Sequence, residues 1–437
     1  MTETDNQIHN TRIGLHYYPD TIHYRIDDLK HWLPIFRQKK INWLILKADA
    51  ERAIPEFFLR ALIKANIQPI IEFNLPIDQL PQSKDFKILL QVYARWGVRY
   101  VILFDRPNQK SSWKTASWTQ QDLVDRFLDQ YIPIARIVLD EGLIPVFPPL
   151  EPGGNYWDTA FLRGAIKGLV RRKQDSILQN LVLSAYGHTN QRNLNWGLGG
   201  PQRWPQTRPY FTPEDSEDQQ GFRIFEWYLS ITHSLLQKNV PIIMLQSGFP
   251  SFPEKFLSKT PLSNQVWDDQ AEIIKQLSIS TISNQESIPS DVMCCNFWLL
   301  ASDEGTPYYH HGWYQGEHCL IPEIPSNTNQ HDELINVNPE TETTSSQKHP
   351  IKHYVLLPTY EWGIADWHLE VIQPFIKKHK ATIGFSIEEA KLASKVTIIG
   401  NPQTFPEEKL QDIRSAGSFV ERISGDGTSI ATQLAER

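Results

Sequence analysis

The chain has 437 residues, a net charge of −7, 40% hydrophobic residues and 21% charged residues. That length exceeds one average domain, and that composition suits a folded chain with a sizeable core. No basic cluster dominates, which argues against a nucleic acid or an anionic membrane surface as partner. The three cysteines, Cys294, Cys295 and Cys319, do not make a disulfide framework or a zinc site. The adjacent pair sits in a strand-like run whose side chains alternate faces. No apolar run is long enough to span a bilayer. The opening residues lack the basic and apolar regions of a signal peptide, so a cytoplasmic protein is expected, or a cell-surface one if export information was lost from this chain, and no cofactor is expected.

The predicted elements alternate from the start. Strands are expected at 13–20, 41–49, 67–74, 100–104, 143–151, 181–188, 241–248 and 292–300. They are apolar, β-branched runs that end in polar residues, as buried parallel strands do. Helices are expected between them at 29–37, 54–65, 86–97, 119–142, 159–173, 222–237 and 268–277. Thr119 reads as an N-cap and Gly97 as the residue closing its helix. Prolines 145, 148 and 149 are awkward for a central fifth strand. Residues 189–219 form a long loop with several aromatics.

Eight strands alternating with helices predict a (β/α)8 TIM barrel over residues 11–324. An open doubly wound sheet is the alternative, but it would bring a glycine-rich phosphate loop after an early strand. The first turn, His16-Tyr17-Tyr18-Pro19-Asp20, has none. Residues 325–350 shift to Asn, Glu, Thr and Ser and predict a polar flexible linker. Residues 351–437 alternate again and predict a small α/β domain.

In such a barrel the functional residues sit at the C-terminal strand ends. Those candidates are His16, Tyr17 and Asp20; Asp49 and Glu51; Glu72 and Asn74; Asp105, Arg106 and Asn108; Glu151; Tyr186 and His188; Gln246 and Ser247; and Trp298, Asp303 and Glu304. Trp157, Trp196, Trp204, Tyr210, Trp313 and Tyr314 offer rings that stack on sugars or pack loops onto the rim. His310-His311 lacks the spacing of a metal site.

Residues 13 to about 315 resemble the clan A glycoside hydrolases, a retaining group built on this barrel. The resemblance rests on Asp105-Arg106-Pro107-Asn108 at the fourth strand, Tyr186 on the sixth, Met244 to Phe249 on the seventh and Phe297-Trp298 on the eighth. It implies an acid/base Glu where Arg106 stands and a nucleophilic Glu where Gln246 stands. Retaining hydrolysis needs two carboxyl groups about 5 Å apart. Arginine stays protonated and a glutamine amide carries no charge, so the resemblance implies a barrel with degenerate catalytic positions. The expected ligand is a carbohydrate or another polar small molecule, an acidic one suiting Arg106. Arg106, Asn108, Tyr186, Gln246, Trp298, His16, Trp196 and Trp204 would bind it. The alternatives left open are a hydrolase using Asp105, Glu72, Glu151 or Glu304, which would invert at about 6.5–9.5 Å, and a structural or scaffolding protein.

At the C-terminal end, Lys395 to Gly400 and Phe419 to Ala435 resemble a cell-wall-binding repeat. Arg422, Ile423, Gly425, Thr428 and Ala431 carry that likeness. The repeat's usual Asp-Arg-Tyr is reduced to Asp426-Gly427.

Overall fold

The computed structural model describes residues 11–81, 83–251, 262–278, 287–321, 349, 351–358, 372, 374–376, 378, 379, 381–425 and 427–435. The expected linker at 325–350 lies, His349 apart, outside them. The chain divides into two compact units, Met1–Asn329 and Gln330–Arg437.

The first unit is a closed parallel barrel. Its strands are β1 (Ile13–His16), β2 (Trp43–Ala48), β3 (Gln68–Phe73), β4 (Tyr100–Ile102), β5 (Ile144–Phe147), β6 (Val182–Tyr186), β7 (Ile242–Leu245) and β8 (Val292–Phe297). Each pairs with the next in chain order, and β8 returns to β1 through Ile13 opposite Cys295 and Leu15 opposite Phe297.

Strand alternation divides the apolar residues into two cores. Trp43, Ile45, Ile70, Tyr100, Ile102, Val146, Val182, Ile243, Leu245 and Cys294 fill the barrel interior. The alternate residues, Leu44, Leu46, Ile71, Val101, Leu183, Met244 and Cys295 among them, pack outward under the helices. Each such buried side chain contributes roughly 1.5–3 kcal/mol. The adjacent cysteines therefore face opposite layers and both are free thiols. Gly14 is the inner-face residue that lets the barrel close. A Cβ there would lie 2.1 Å from Asn296 Oδ1 and 2.7 Å from Trp43 Cβ.

The helices follow apolar periodicity. In Ile26–Gln38, Leu29, Trp32 and Phe36 are buried at helical spacing. The helix expected from Thr119 to Gly142 is instead two elements, a turn at Thr115–Trp118 and a helix at Leu123–Asp140. Asp122 between them has φ +57°, a left-handed conformation that no helix continues through. The Thr119 hydroxyl turns back onto the Ala116 carbonyl at 3.2 Å instead of capping forward. β5 forms despite Pro145, which pairs with Val101, and Pro148-Pro149 lie just beyond its end. Further elements were not expected, among them helices at Asp175–Gln179 and Gly200–Arg203 and a two-stranded hairpin, β9 (Tyr314–Gln315) with β10 (His318–Cys319).

The second unit holds a four-stranded parallel sheet. Its strands are β11 (Ile351–Leu356), β12 (Thr382–Gly384), β13 (Ala393–Ile399) and β14 (Phe419–Ile423), in the spatial order β12-β11-β13-β14. Ile423, Ile430 and Leu434 enter its core, and Arg422 donates to the Phe405 carbonyl at 2.6 Å. Thr382–Gly384 and the short helix Ile387–Ala390 were not anticipated. Asp426 lies outside the described residues.

Candidate functional site

The inward stripe turns polar at the C-terminal ends of β1, β2, β3 and β6. On β1 the stripe runs Gly14 to His16, on β2 Trp43-Ile45-Lys47, on β3 Ile70-Glu72 and on β6 Val182-Ser184-Tyr186. The register places Lys47 directly opposite Glu72, and His16 opposite Ile45. These side chains, with the segments that leave β4, β5, β7 and β8, form the barrel mouth.

The β4 to β6 side of the mouth is a closed network. Beyond β4, Arg106 has φ +46°, and its N–H donates to the Pro149 carbonyl at 3.0 Å. That turn aims the guanidinium between two carboxylates. Nη1 lies 3.1 Å from Asp105 Oδ2, and Nε lies 2.6 Å from Glu151 Oε2. The guanidinium carbon sits 4.2 Å from the Tyr186 ring centroid, and the Tyr186 hydroxyl donates to Asp105 Oδ1 at 2.5 Å. Burial disfavours the Arg106 charge, but Tyr186, Asp105 and Glu151 outweigh it, so its pKa rises above the ordinary arginine value. Burial raises the Glu151 carboxyl, partly offset by Arg106. Burial also raises the Tyr186 phenol, which stays a proton donor.

Gln246 leaves β7 in a left-handed conformation, φ +48°. Its Oε1 lies 2.8 Å from His188 Nε2, so that nitrogen carries the proton. His188 stacks on Tyr186 with centroids 4.9 Å apart. Burial lowers the His188 pKa to about 3. Trp298 stands edge-on to His16 at 5.2 Å, and the Trp298–Leu299 peptide is cis. The His16 pKa falls to about 3 as well, through burial and then the charge of Lys47.

The β1 to β3 side is open by contrast. Glu72 Oε2 and His16 Nε2 are buried without a hydrogen-bond partner. Glu72 is 6% exposed and His16 3%. The half-buried Lys47 has no ion pair or hydrogen bond through its ammonium group among the described residues. Burial raises the Glu72 carboxyl, while Lys47 pulls it down.

The mouth therefore brings together His16, Glu72, Asp105, Arg106, Glu151, Tyr186, Gln246 and Trp298. Asn108 needs correction. It is fully buried and spends its amide on backbone: Oδ1 accepts from Glu151 N–H at 2.8 Å, and Nδ2 donates to the Glu151 and Tyr156 carbonyls at 2.9 Å each. It braces the β5 loop and has no group left for a ligand. Glu304 is exposed in the turn after β8 and has no bond to the mouth carboxylates among the described residues. Trp196 donates to Asp218 at 2.9 Å and carries Arg192 over its ring at 4.2 Å. Trp204 donates to the Leu198 carbonyl at 3.1 Å, with Arg203 at 5.3 Å from its ring. Both tryptophans fasten the long β6 loop, because their indole N–H groups and ring faces already have partners.

Of the other rim aromatics, Trp313 is fully buried and donates to Gln270, and Tyr314 packs on Trp32. Tyr17 points into the outer layer against Tyr24, Phe36 and Phe58. Only Tyr210, 61% exposed beside Trp157, keeps an open ring among those six rim candidates. Asp20 serves His23, which bridges it at 2.8 Å to Asp303 at 3.2 Å. Asp49 pairs with Arg52 on the surface. Among the described residues no group of His, Cys, Asp and Glu is arranged to hold a metal ion, and no helix is long and apolar enough to cross a membrane.

Lys47 was not among the expected strand-end residues, which on β2 were Asp49 and Glu51 beyond its end. Counting by twos from Trp43 and Ile45 leads to Lys47 on the same inward face.

No protein-family model and no curated protein matches the chain. Among solved structures it is similar to a family 39 glycoside hydrolase from the gut symbiont Bacteroides cellulosilyticus, at 12% identity and TM-score 0.42, covering 69% of this chain and 59% of that one. It is also similar to a monomeric β-xylosidase from Caulobacter crescentus, at 14% identity and TM-score 0.37, covering 67% and 60%. A third is the GH53 catalytic domain of Ignisphaera aggregans, at 12% identity and TM-score 0.37, covering 71% and 89%. The chain spans about three fifths of the length of the first two.

Proposed function

We propose that the barrel is a glycosidase-derived carbohydrate-binding protein whose mouth holds a glycan without ordinary retaining cleavage. One observation carries this reading: the Arg106 guanidinium ties Asp105 and Glu151 together and covers the face of Tyr186. Retaining hydrolysis uses one free carboxylic acid to protonate the leaving oxygen and one free carboxylate to attack. Here both nearby carboxylates, Asp105 and Glu151, are engaged by the Arg106 guanidinium, so neither stands free to meet a leaving oxygen or an anomeric carbon. Gln246, where the resemblance implies the nucleophile, is a neutral amide bonded to His188. What remains in the mouth is a set of hydrogen-bonding groups beside the Trp298 ring, which suits a polyhydroxylated ligand. The left-handed backbone at both Arg106 and Gln246 adds weight, since such conformations cluster at functional sites.

The test is a glycan array read beside a reducing-sugar assay on the bound glycans. Binding without sugar release is expected. Turnover that survives Gln246→Ala and dies in Asp105→Ala overturns the reading in favour of a second one. In that second reading, Asp105 and Glu151, brought together on one guanidinium, are a non-standard carboxylate pair of an active hydrolase.

A further inference from the structure

Arg106 is the obvious cation of the mouth and the wrong place to look for an anion. Its charge is already shared between Asp105 at 3.1 Å and Glu151 at 2.6 Å, with Tyr186 over its face. An arriving carboxylate or sulfate would have to displace one of them. Lys47 differs. It lies on the inward face of β2, two residues beyond Ile45 and opposite Glu72 on β3, and its ammonium has no bonded partner among the described residues. It is close enough to His16 and to Glu72 to act on the charge of both.

Beside Lys47 stand two buried polar atoms with no hydrogen bond, His16 Nε2 and Glu72 Oε2. A buried polar group left unpaired costs about 1–3 kcal/mol of the desolvation it has suffered. Two of them, on β1 and β3 either side of β2 and its unpaired ammonium, mark a place where a ligand would gain partners. The occupant's chemistry follows from the set. The ammonium donates and carries a positive charge. The imidazole is uncharged and can present an N–H at Nε2. The Glu72 carboxyl can donate when protonated, and burial favours that form. All three groups can donate to the same oxygens, and those oxygens must be anionic to reward Lys47.

We propose that the β1–β3 side of the mouth, Lys47 with His16 and Glu72, receives the acidic group of an acidic sugar, and that Lys47 is the residue that selects acidic glycans over neutral ones. This rests on the carbohydrate-binding reading above and names its substrate class.

Binding then couples to protons. An anion beside Glu72 favours its protonated form. The other charged or titratable groups acting on Glu72 are Lys47, Asp105, Arg106, Tyr186 and Tyr24. Affinity for the acidic ligand falls as pH rises through the Glu72 pKa, because the ionised carboxylate repels it.

The experiment is calorimetric titration of the whole chain with uronic-acid oligosaccharides, with the same oligosaccharides after carboxyl reduction, and with sulfated neutral ones. The acidic ligands are expected to bind at least about tenfold tighter than the reduced ones. Lys47→Gln is expected to bring the acidic-to-reduced ratio down to near one, and Lys47→Arg to restore most of it. Glu72→Gln is expected to flatten the pH profile for the acidic ligand. The sulfated arm separates a preference for carboxylate from one for any anion, and preference for either over neutral sugar supports the proposal. Neutral ligand binding as tightly as acidic, or an acidic-to-neutral ratio unchanged in Lys47→Gln, overturns it while leaving the carbohydrate reading standing. No sugar of any kind binding overturns both. Folded protein in each variant is checked by its thermal transition.

Discussion

The two sides of the barrel mouth use the same kinds of residue to opposite ends. From β4 to β6, Asp105, Arg106, Glu151 and Tyr186 are tied together by two ion pairs and a hydrogen bond, although Arg106 Nε meets Glu151 without a well-formed hydrogen bond. From β1 to β3, Lys47, His16 and Glu72 stand beside one another without bonds between them. The closed side stabilises the fold, since each charge there is paired. The open side weakens it, since buried polar atoms are left without partners. A barrel tolerates such a cost where the groups have another use. Charge in a cleft is therefore a poor guide to what it binds until its existing partners have been counted.

The contrast breaks most sharply at Arg106. Arg106→Ala leaves two partly buried carboxylates facing each other without their cation. A loss of about 3 kcal/mol of unfolding free energy is expected, measured by urea denaturation at neutral pH. A change under 1 kcal/mol would mean the network is not the brace described here. Next is Asn108, the brace of the β5 loop that carries Glu151. Asn108→Ala removes three bonds to buried backbone groups and should cost about 2 kcal/mol in the same assay. The smallest effect lies on the open side. Glu72 has its pKa raised by burial above the ordinary 4.5, so the folded state holds its proton more tightly than the unfolded state. Its burial penalty is absent below pH 4.5 and appears as pH climbs through the folded pKa. Glu72→Gln should therefore stabilise the protein by about 1 kcal/mol at high pH, with the gain vanishing at pH 4. A loss of stability at high pH instead would show that Glu72 is held ionised by Lys47 in the folded state.

Much of the fold was legible in the sequence. All eight barrel strands lie within their expected ranges, because a strand buried on both faces needs an apolar run that a surface element does not. The helix at Leu123 shows the limit. Thr119 is a good capping residue type, yet the chain stops at Trp118, passes through a left-handed Asp122 and starts again, a backbone choice no side-chain pattern announces. Asn108, Trp196 and Trp204 show the same limit in the site. Each has the chemistry to meet a ligand, and each is spent on holding a loop.

What the sequence by itself determined was the alternation of strand and helix, the strands' two-sided burial and the strand ends where polar side chains gather. These follow from local periodicity, which is written along the chain. What only the tertiary structure decided was which of those polar groups are spoken for. Arg106 is neutralised by Asp105 beside it and by Glu151, which is distant in sequence and arrives one strand later. Lys47 is left open because its strand neighbour, Glu72, faces it without closing the pair. Partnership between side chains depends on distance in space, and spacing along the chain does not encode it.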